Sequence, residues 1–141
     1  MATPKNPEKL FPMFLTDKLE ETKAFYRDKL DFEVVFDLDS YLQVRYGQGE
    51  GAPELCFMRP DAYPDGVTRP AYGGQGVIVS VPTESADEAS ARIRAAGAEV
   101  QGEPTDKPWG WRSFFVTDPN GVTLDFFHVY NDNPMGGEAS A

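Results

Sequence analysis

The chain has 141 residues, 40% of them apolar and 13% aromatic, and 23 acidic against 13 basic side chains give a formal charge of −10. That length suits one domain with a core large enough to need no staples, and a lone cysteine, Cys56, excludes an internal disulfide framework. The acidity argues against nucleic acid or an anionic membrane surface as partner and is compatible with a cationic ligand or with simple solubility. No apolar run approaches the roughly 20 residues of a membrane span, and the opening MATPKNPEKL lacks a leader's apolar stretch, so a cytoplasmic location is expected.

In chain order, LFPMFL (10–15) predicts a short strand, and Thr16 or Asp17 is placed to cap the helix KLEETKAFYRDKL (18–30), whose apolar residues recur at helical spacing. Asp31 breaks that pattern, and FEVVFDL (32–38), SYLQVRYG (40–47) and PELCFM (53–58) predict three strands. GVIVSV (76–81) predicts another strand, ADEASARIRAAG (86–97) a helix closed by Gly97, and AEVQGE (98–103) a strand. WRSFFVT (111–117) and VTLDFFHV (122–129) form a strand pair joined by the turn Asp118-Pro119-Asn120-Gly121.

The order strand, helix, strand, strand, strand therefore occurs twice. At an offset of 66, LDFEV (30–34) meets AGAEV (96–100), Phe25 meets Ala91 and Thr16 meets Pro82. The expected organisation is a single α+β domain over 1–141. Module one spans 10–58, a Pro/Gly-rich linker 59–75, module two 76–130, and a tail expected to be disordered 131–141.

The paired βαβββ modules, with KAFYRDKLDFEVVF in the first and VTDPNGVTLDFF closing the second, resemble the vicinal-oxygen-chelate superfamily of glyoxalases, extradiol dioxygenases, thiol-transferring fosfomycin enzymes and bleomycin-binding resistance proteins. The resemblance runs over residues 10–130, and PWGWRSFFVTDPNG is most similar to the bleomycin-resistance branch. It implies two sheets curled around a ligand cavity, and a homodimer with cavities built across the interface.

Enzymes of that superfamily hold a divalent ion with a His on the first strand of each module and a Glu or His on the last. The implied first-strand positions fall near Leu10 and Gly76, which offer no imidazole. The last strands offer Asp125 and either Glu54 or Cys56, while His128, three residues from Asp125, points to the other face of its strand. A catalytic metal usually needs at least three protein ligands, so neither a metal nor another cofactor is expected. The glycines of GQGEG (47–51) open no helix, which argues against a phosphate loop. No Ser or Cys has a plausible histidine base, and no catalytic residue is nominated.

Trp109 and Trp111 share one strand face if the strand begins that early, with Ser113 and Phe115 continuing it. They are either core aromatics or, given the loop character of KPWGW, the wall of a pocket. Aromatic walls beside carboxylates suit a flat cation. The candidate binding residues are Trp109, Trp111, Glu54 and Asp125, with Asp37, Tyr46, Phe57 and Phe115 as further lining. The first expectation is a non-catalytic protein that sequesters a flat, cationic, aromatic small molecule of the bleomycin class. The alternative is a metal-dependent lyase, isomerase or dioxygenase with an atypical site around Glu54 and Asp125.

Overall fold

The computed structural model describes residues 4–67 and 69–136. The chain forms two compact units, one up to Tyr72 and one from Gly73. Each is a βαβββ module, so the fold is α+β.

Unit 1 contains β1 (Met13–Leu15), α1 (Leu19–Ala24), β2 (Glu33–Asp37), β3 (Tyr41–Arg45) and β4 (Glu54–Met58), with sheet order β1-β4-β3-β2. Strand β1 runs parallel to β4 and the remaining pairs are antiparallel. The expected 18–30 helix is present, but its second half, Phe25–Lys29, is a π-helical turn. Leu30 N–H reaches back to the Phe25 carbonyl at 3.3 Å. Asp31 follows with φ 63°, taking the left-handed conformation that ends many helices and that Asp tolerates better than most residues. The wide turn lets Tyr26 and Leu30 both bury completely, Tyr26 packing on Phe57 with ring centroids 5.2 Å apart and on Phe32 at 5.0 Å. At the helix start the Thr16 hydroxyl accepts from the Lys18 amide, so Thr16 rather than Asp17 bonds the entry.

Unit 2 contains β5 (Ile78–Pro82), α2 (Ala86–Ala95), β6 (Val100–Asp106), β7 (Trp111–Thr117) and β8 (Thr123–Val129), with sheet order β5-β8-β7-β6. Ser85 caps α2 by accepting from Glu88 N–H, and Gly97, at φ 94°, follows its last turn as expected. Proline is tolerated inside β6 because that strand is an edge, broken by a register shift between Gln101 and Thr105. In the Asp118–Gly121 turn the Asp118 carboxylate accepts from the amides of Asn120 and Val122.

In both units one sheet face carries the core. Leu42, Val44, Leu55 and Phe57 bury beneath the helical segment of unit 1, and Phe114, Val116, Leu124 and Phe126 bury with Ile93 of α2 in unit 2. The other face of each sheet carries the polar and half-exposed residues. The repeat is offset by one more residue than expected. Thr16 N–H donates to the Met58 carbonyl and Thr83 N–H to that of Phe127, each at 2.8 Å, so Thr16 corresponds to Thr83 rather than to Pro82. Of the expected disordered tail, residues 137–141 lie outside the described residues. Asn131 is tied down, its amide donating to the Gly110 carbonyl at 3.2 Å. Among the described residues no helix is long and apolar enough to cross a membrane.

Candidate functional site

The strand registers fix which side chains share the face away from each helix. In unit 2 that face carries Trp111, Ser113 and Phe115 of β7, opposite Val129, Phe127 and Asp125 of β8. Ser80 of β5 lies beside Asp125 on its other flank. The Trp111 indole stacks on the Phe127 ring with centroids 3.7 Å apart and planes 10° from parallel. Both rings, and that of Phe115, are half-buried. Asp125 is 5% exposed and Ser113 is wholly buried. Burial pushes the Asp125 carboxyl above its ordinary value, opposed by the nearby Ser113 hydroxyl and by the charge of Lys107. The Ser113 and Asp125 side chains do not complete a hydrogen bond, however: Ser113 Oγ and Asp125 Oδ1 are both without a partner among the described residues.

The turn before β7 is built to close tolerance. Gly110 has φ 91°, and a Cβ there would lie 2.0 Å from the Asn131 carbonyl oxygen. The Gly110 carbonyl accepts from the amides of Tyr130 and Asn131, and the Tyr130 hydroxyl donates to the Lys107 carbonyl at 2.9 Å. Trp109 sits in this turn, 55% exposed, and not on the strand face with Trp111, because β7 begins only at Trp111. Lys107 folds back along the sheet, its ammonium donating to the Thr105 hydroxyl at 2.6 Å and to the Ser113 carbonyl at 3.1 Å.

In unit 1 the equivalent face is closed by a polar chain. Lys9 donates to Glu54 and to the Ala52 carbonyl, and Gln43 donates to the other oxygen of Glu54. The Tyr41 hydroxyl contacts Gln43 Oε1 at 2.6 Å and Cys56 Sγ at 2.9 Å. Burial alone would raise the Glu54 carboxyl, but the hydrogen bonds from Lys9 and Gln43 outweigh it and hold Glu54 below its ordinary value. Burial pushes the Cys56 thiol up, which keeps it a poor nucleophile.

The eight sequence candidates are thus dispersed. Trp111, Phe115 and Asp125 share the face of unit 2 away from α2, and Trp109 stands in the turn before it. Glu54 is in unit 1 and already neutralised by Lys9. Asp37 is exposed at the end of β2 and pairs with Lys23 at 3.1 Å. It borders an open groove of 520 Å³ whose five carboxylates outnumber Lys18, Lys23 and Arg59 and which has no aromatic lining. Phe57, expected as lining, is a core residue on the helix side, wholly buried between Phe14 and Tyr26. Tyr46 likewise packs against buried Phe32, with centroids 5.0 Å apart. Phe127, Ser113, Ser80 and Lys107 were not nominated. Two residues apart, Phe127 and Asp125 share a face of β8, but the register that brings the Phe127 ring onto Trp111 is a long-range fact.

The same registers test the superfamily's metal. Met58 corresponds to Phe127 through the matched amide bonds, so Cys56, not Glu54, is the counterpart of Asp125. Their first-strand partners are Met13 and Ser80, not Leu10 or Gly76. A thioether beside a thiol in one unit, and a hydroxyl beside one carboxylate in the other, do not make the imidazole-and-carboxylate set that holds the superfamily's divalent ion. Among the described residues no three His, Cys, Asp or Glu side chains converge as a metal cluster. His128 lies on the helix side, its Nδ1 accepting from the Ala86 amide at 2.8 Å.

A family model described as Glyoxalase/Bleomycin resistance protein/Dioxygenase superfamily matches residues 11–126. No curated protein matches the chain. Among solved structures, a glyoxalase/bleomycin resistance protein/dioxygenase from Nocardioides superposes with a TM-score of 0.70 at 24% identity, covering 99% of this chain and 92% of that one. TnmS3, an antibiotic binding protein from Streptomyces sp. CB03234, does so with a TM-score of 0.63 at 23% identity over 89% of this chain and 96% of its own. A lactoylglutathione lyase from Agrobacterium tumefaciens matches with a TM-score of 0.65 at 23% identity, over 86% and 94% of the two chains. At these identities the likeness is one of fold.

Proposed function

The chain belongs to the glyoxalase/bleomycin resistance protein/dioxygenase superfamily, and from that premise we propose that it is a binding protein which sequesters a flat, positively charged small molecule without transforming it, an antibiotic of the bleomycin class being the reference ligand. The observation that carries this reading is the Trp111–Phe127 stack standing beside the buried carboxylate of Asp125 on the sheet face away from α2. Indole and phenyl faces attract a flat cation, and a carboxylate shielded from water attracts its charge more strongly than an exposed one does. The antibiotic-binding name of one structural relative supports the same reading, as does a donor set that does not suit the superfamily's metal. The mechanism is withholding: the bound molecule is kept from its target, and no proton transfer is needed. In this reading the protein works as a cytoplasmic homodimer and confers resistance.

The test is a tryptophan-fluorescence titration with bleomycin, with and without a chelator, followed by mass spectrometry of the recovered ligand. Saturable quenching that survives the chelator, and a ligand returned unaltered, are expected. No spectral response, or a ligand recovered as a product, contradicts the proposal.

A further inference from the structure

Two buried side-chain oxygens on the face of unit 2 away from α2, Ser113 Oγ and Asp125 Oδ1, have no hydrogen-bond partner among the described residues. They belong to diagonal neighbours of the β7–β8 pair, Ser113 standing opposite Phe127 and Asp125 opposite Phe115. An unsatisfied buried polar atom destabilises a fold, and an apolar pair of the same shape would be cheaper to keep.

The protein's own nearest cation does not fill the gap. Lys107 has three N–H donors, and they go to the Thr105 hydroxyl, the Thr105 carbonyl and the Ser113 carbonyl. Lys107 therefore serves neither oxygen, and a donor from outside the protein can. A carboxylate only accepts, and the hydroxyl offers its lone pairs beside it. Two adjacent acceptors next to an aromatic stack match a planar group carrying two N–H donors.

We propose that the ligand presents a paired N–H edge, as in an aryl amidinium, a guanidinium or an amino-substituted heteroaromatic ring, to Asp125 Oδ1 and Ser113 Oγ while its flat body lies against Trp111. Reaching these two buried oxygens requires the half-exposed rings of Trp111, Phe115 and Phe127 to turn aside. This inference rests on the reading that this face of unit 2 is the ligand site, and it narrows that reading from any flat cation to one with N–H donors.

The test compares two probes by calorimetric titration: benzamidine, a flat cation with paired N–H groups, and phenyltrimethylammonium, a flat cation with none. Benzamidine is expected to bind about tenfold tighter, the scale of one charge-assisted hydrogen bond. Ser113→Ala and Asp125→Asn should each bring the two affinities close together. Ser113→Ala should not lower the melting temperature, since it removes an unpaired hydroxyl and leaves no large cavity. Equal affinities in the wild-type protein, or a preference that persists in both variants, would overturn the N–H inference while leaving the flat-cation reading in place. Failure of both probes to bind at millimolar concentration would overturn that reading and the inference with it.

Discussion

The indole of Trp111 lies flat on the ring of Phe127, one strand across, with centroids 3.7 Å apart. Trp109, two residues earlier, stands 55% exposed in a turn. The two indoles thus differ in environment, and acrylamide quenching should separate them. Trp111→Phe should leave a red-shifted, readily quenched emission from Trp109, and Trp109→Phe a bluer, more protected one. Trp111→Ala should cost about 1–2 kcal/mol in denaturant unfolding, from the lost ring pair and part of its buried area.

Gly110 and Gly49 share a backbone conformation, at φ 91° in both, but not a neighbourhood. A methyl group at 49 meets nothing within 4 Å, whereas at 110 it would lie 2.0 Å from the Asn131 oxygen. Gly49→Ala should therefore cost only the strain of a left-handed alanine, about 1 kcal/mol. Gly110→Ala should cost about 3 kcal/mol or more and change the Trp109 emission, because the turn must move. Equal losses in urea unfolding would show that the tail does not brace this turn.

Glu54 and Asp125 are both buried carboxylates, shifted in opposite directions. The folded value of Glu54 lies below its unfolded one, so its contribution is present above the unfolded value, about 4.3, and is lost as pH falls through the folded one. The folded value of Asp125 lies above its unfolded one, so its contribution is full at acid pH and is lost as pH rises through the folded value. Glu54→Gln should accordingly flatten the acid limb of a stability–pH curve. Asp125→Asn, which removes the buried charge while keeping an acceptor oxygen, should raise stability at pH 7 and remove that loss on the alkaline side. Lys9→Met, which leaves Glu54 charged in a site where it is 9% exposed, should cost about 3 kcal/mol.

Phe57 and Phe115 make a further pair of opposites, one wholly buried and one half-exposed on the site face. Phe57→Ala should cost about 3–5 kcal/mol, as for a filled core position. Phe115→Ala should cost less than half as much, and weaken ligand binding. Comparable stability losses would place Phe115 in the core as well.

The doubled strand–helix–strand plan was legible because it rests on local signals: helical spacing before Asp31, the Gly97 cap, and the Asp118–Gly121 turn. Period-two alternation also put Trp111 and Phe115 on one face of their strand, and Asp125 and Phe127 on one face of theirs. Register across strands was not legible. β1 has only three residues, so nothing local shows that Met13 and Ser80, rather than Leu10 and Gly76, flank Cys56 and Asp125. Nor does spacing show that Lys9, 45 residues before Glu54, would consume that carboxylate. Phe57, next to Cys56 in the strand, is put by alternation on the face opposite Glu54 and Cys56, and there it buries in the core rather than lining a site.

The most direct measurement is a fluorescence titration of the Trp109→Phe variant, in which Trp111 is the only indole, with bleomycin. Saturable quenching of that indole, weakened at least about tenfold by Asp125→Asn, is the predicted result. An unchanged Trp111 signal, with any response of the wild-type protein arising from Trp109 alone, would contradict a ligand site on the Trp111–Phe127 face.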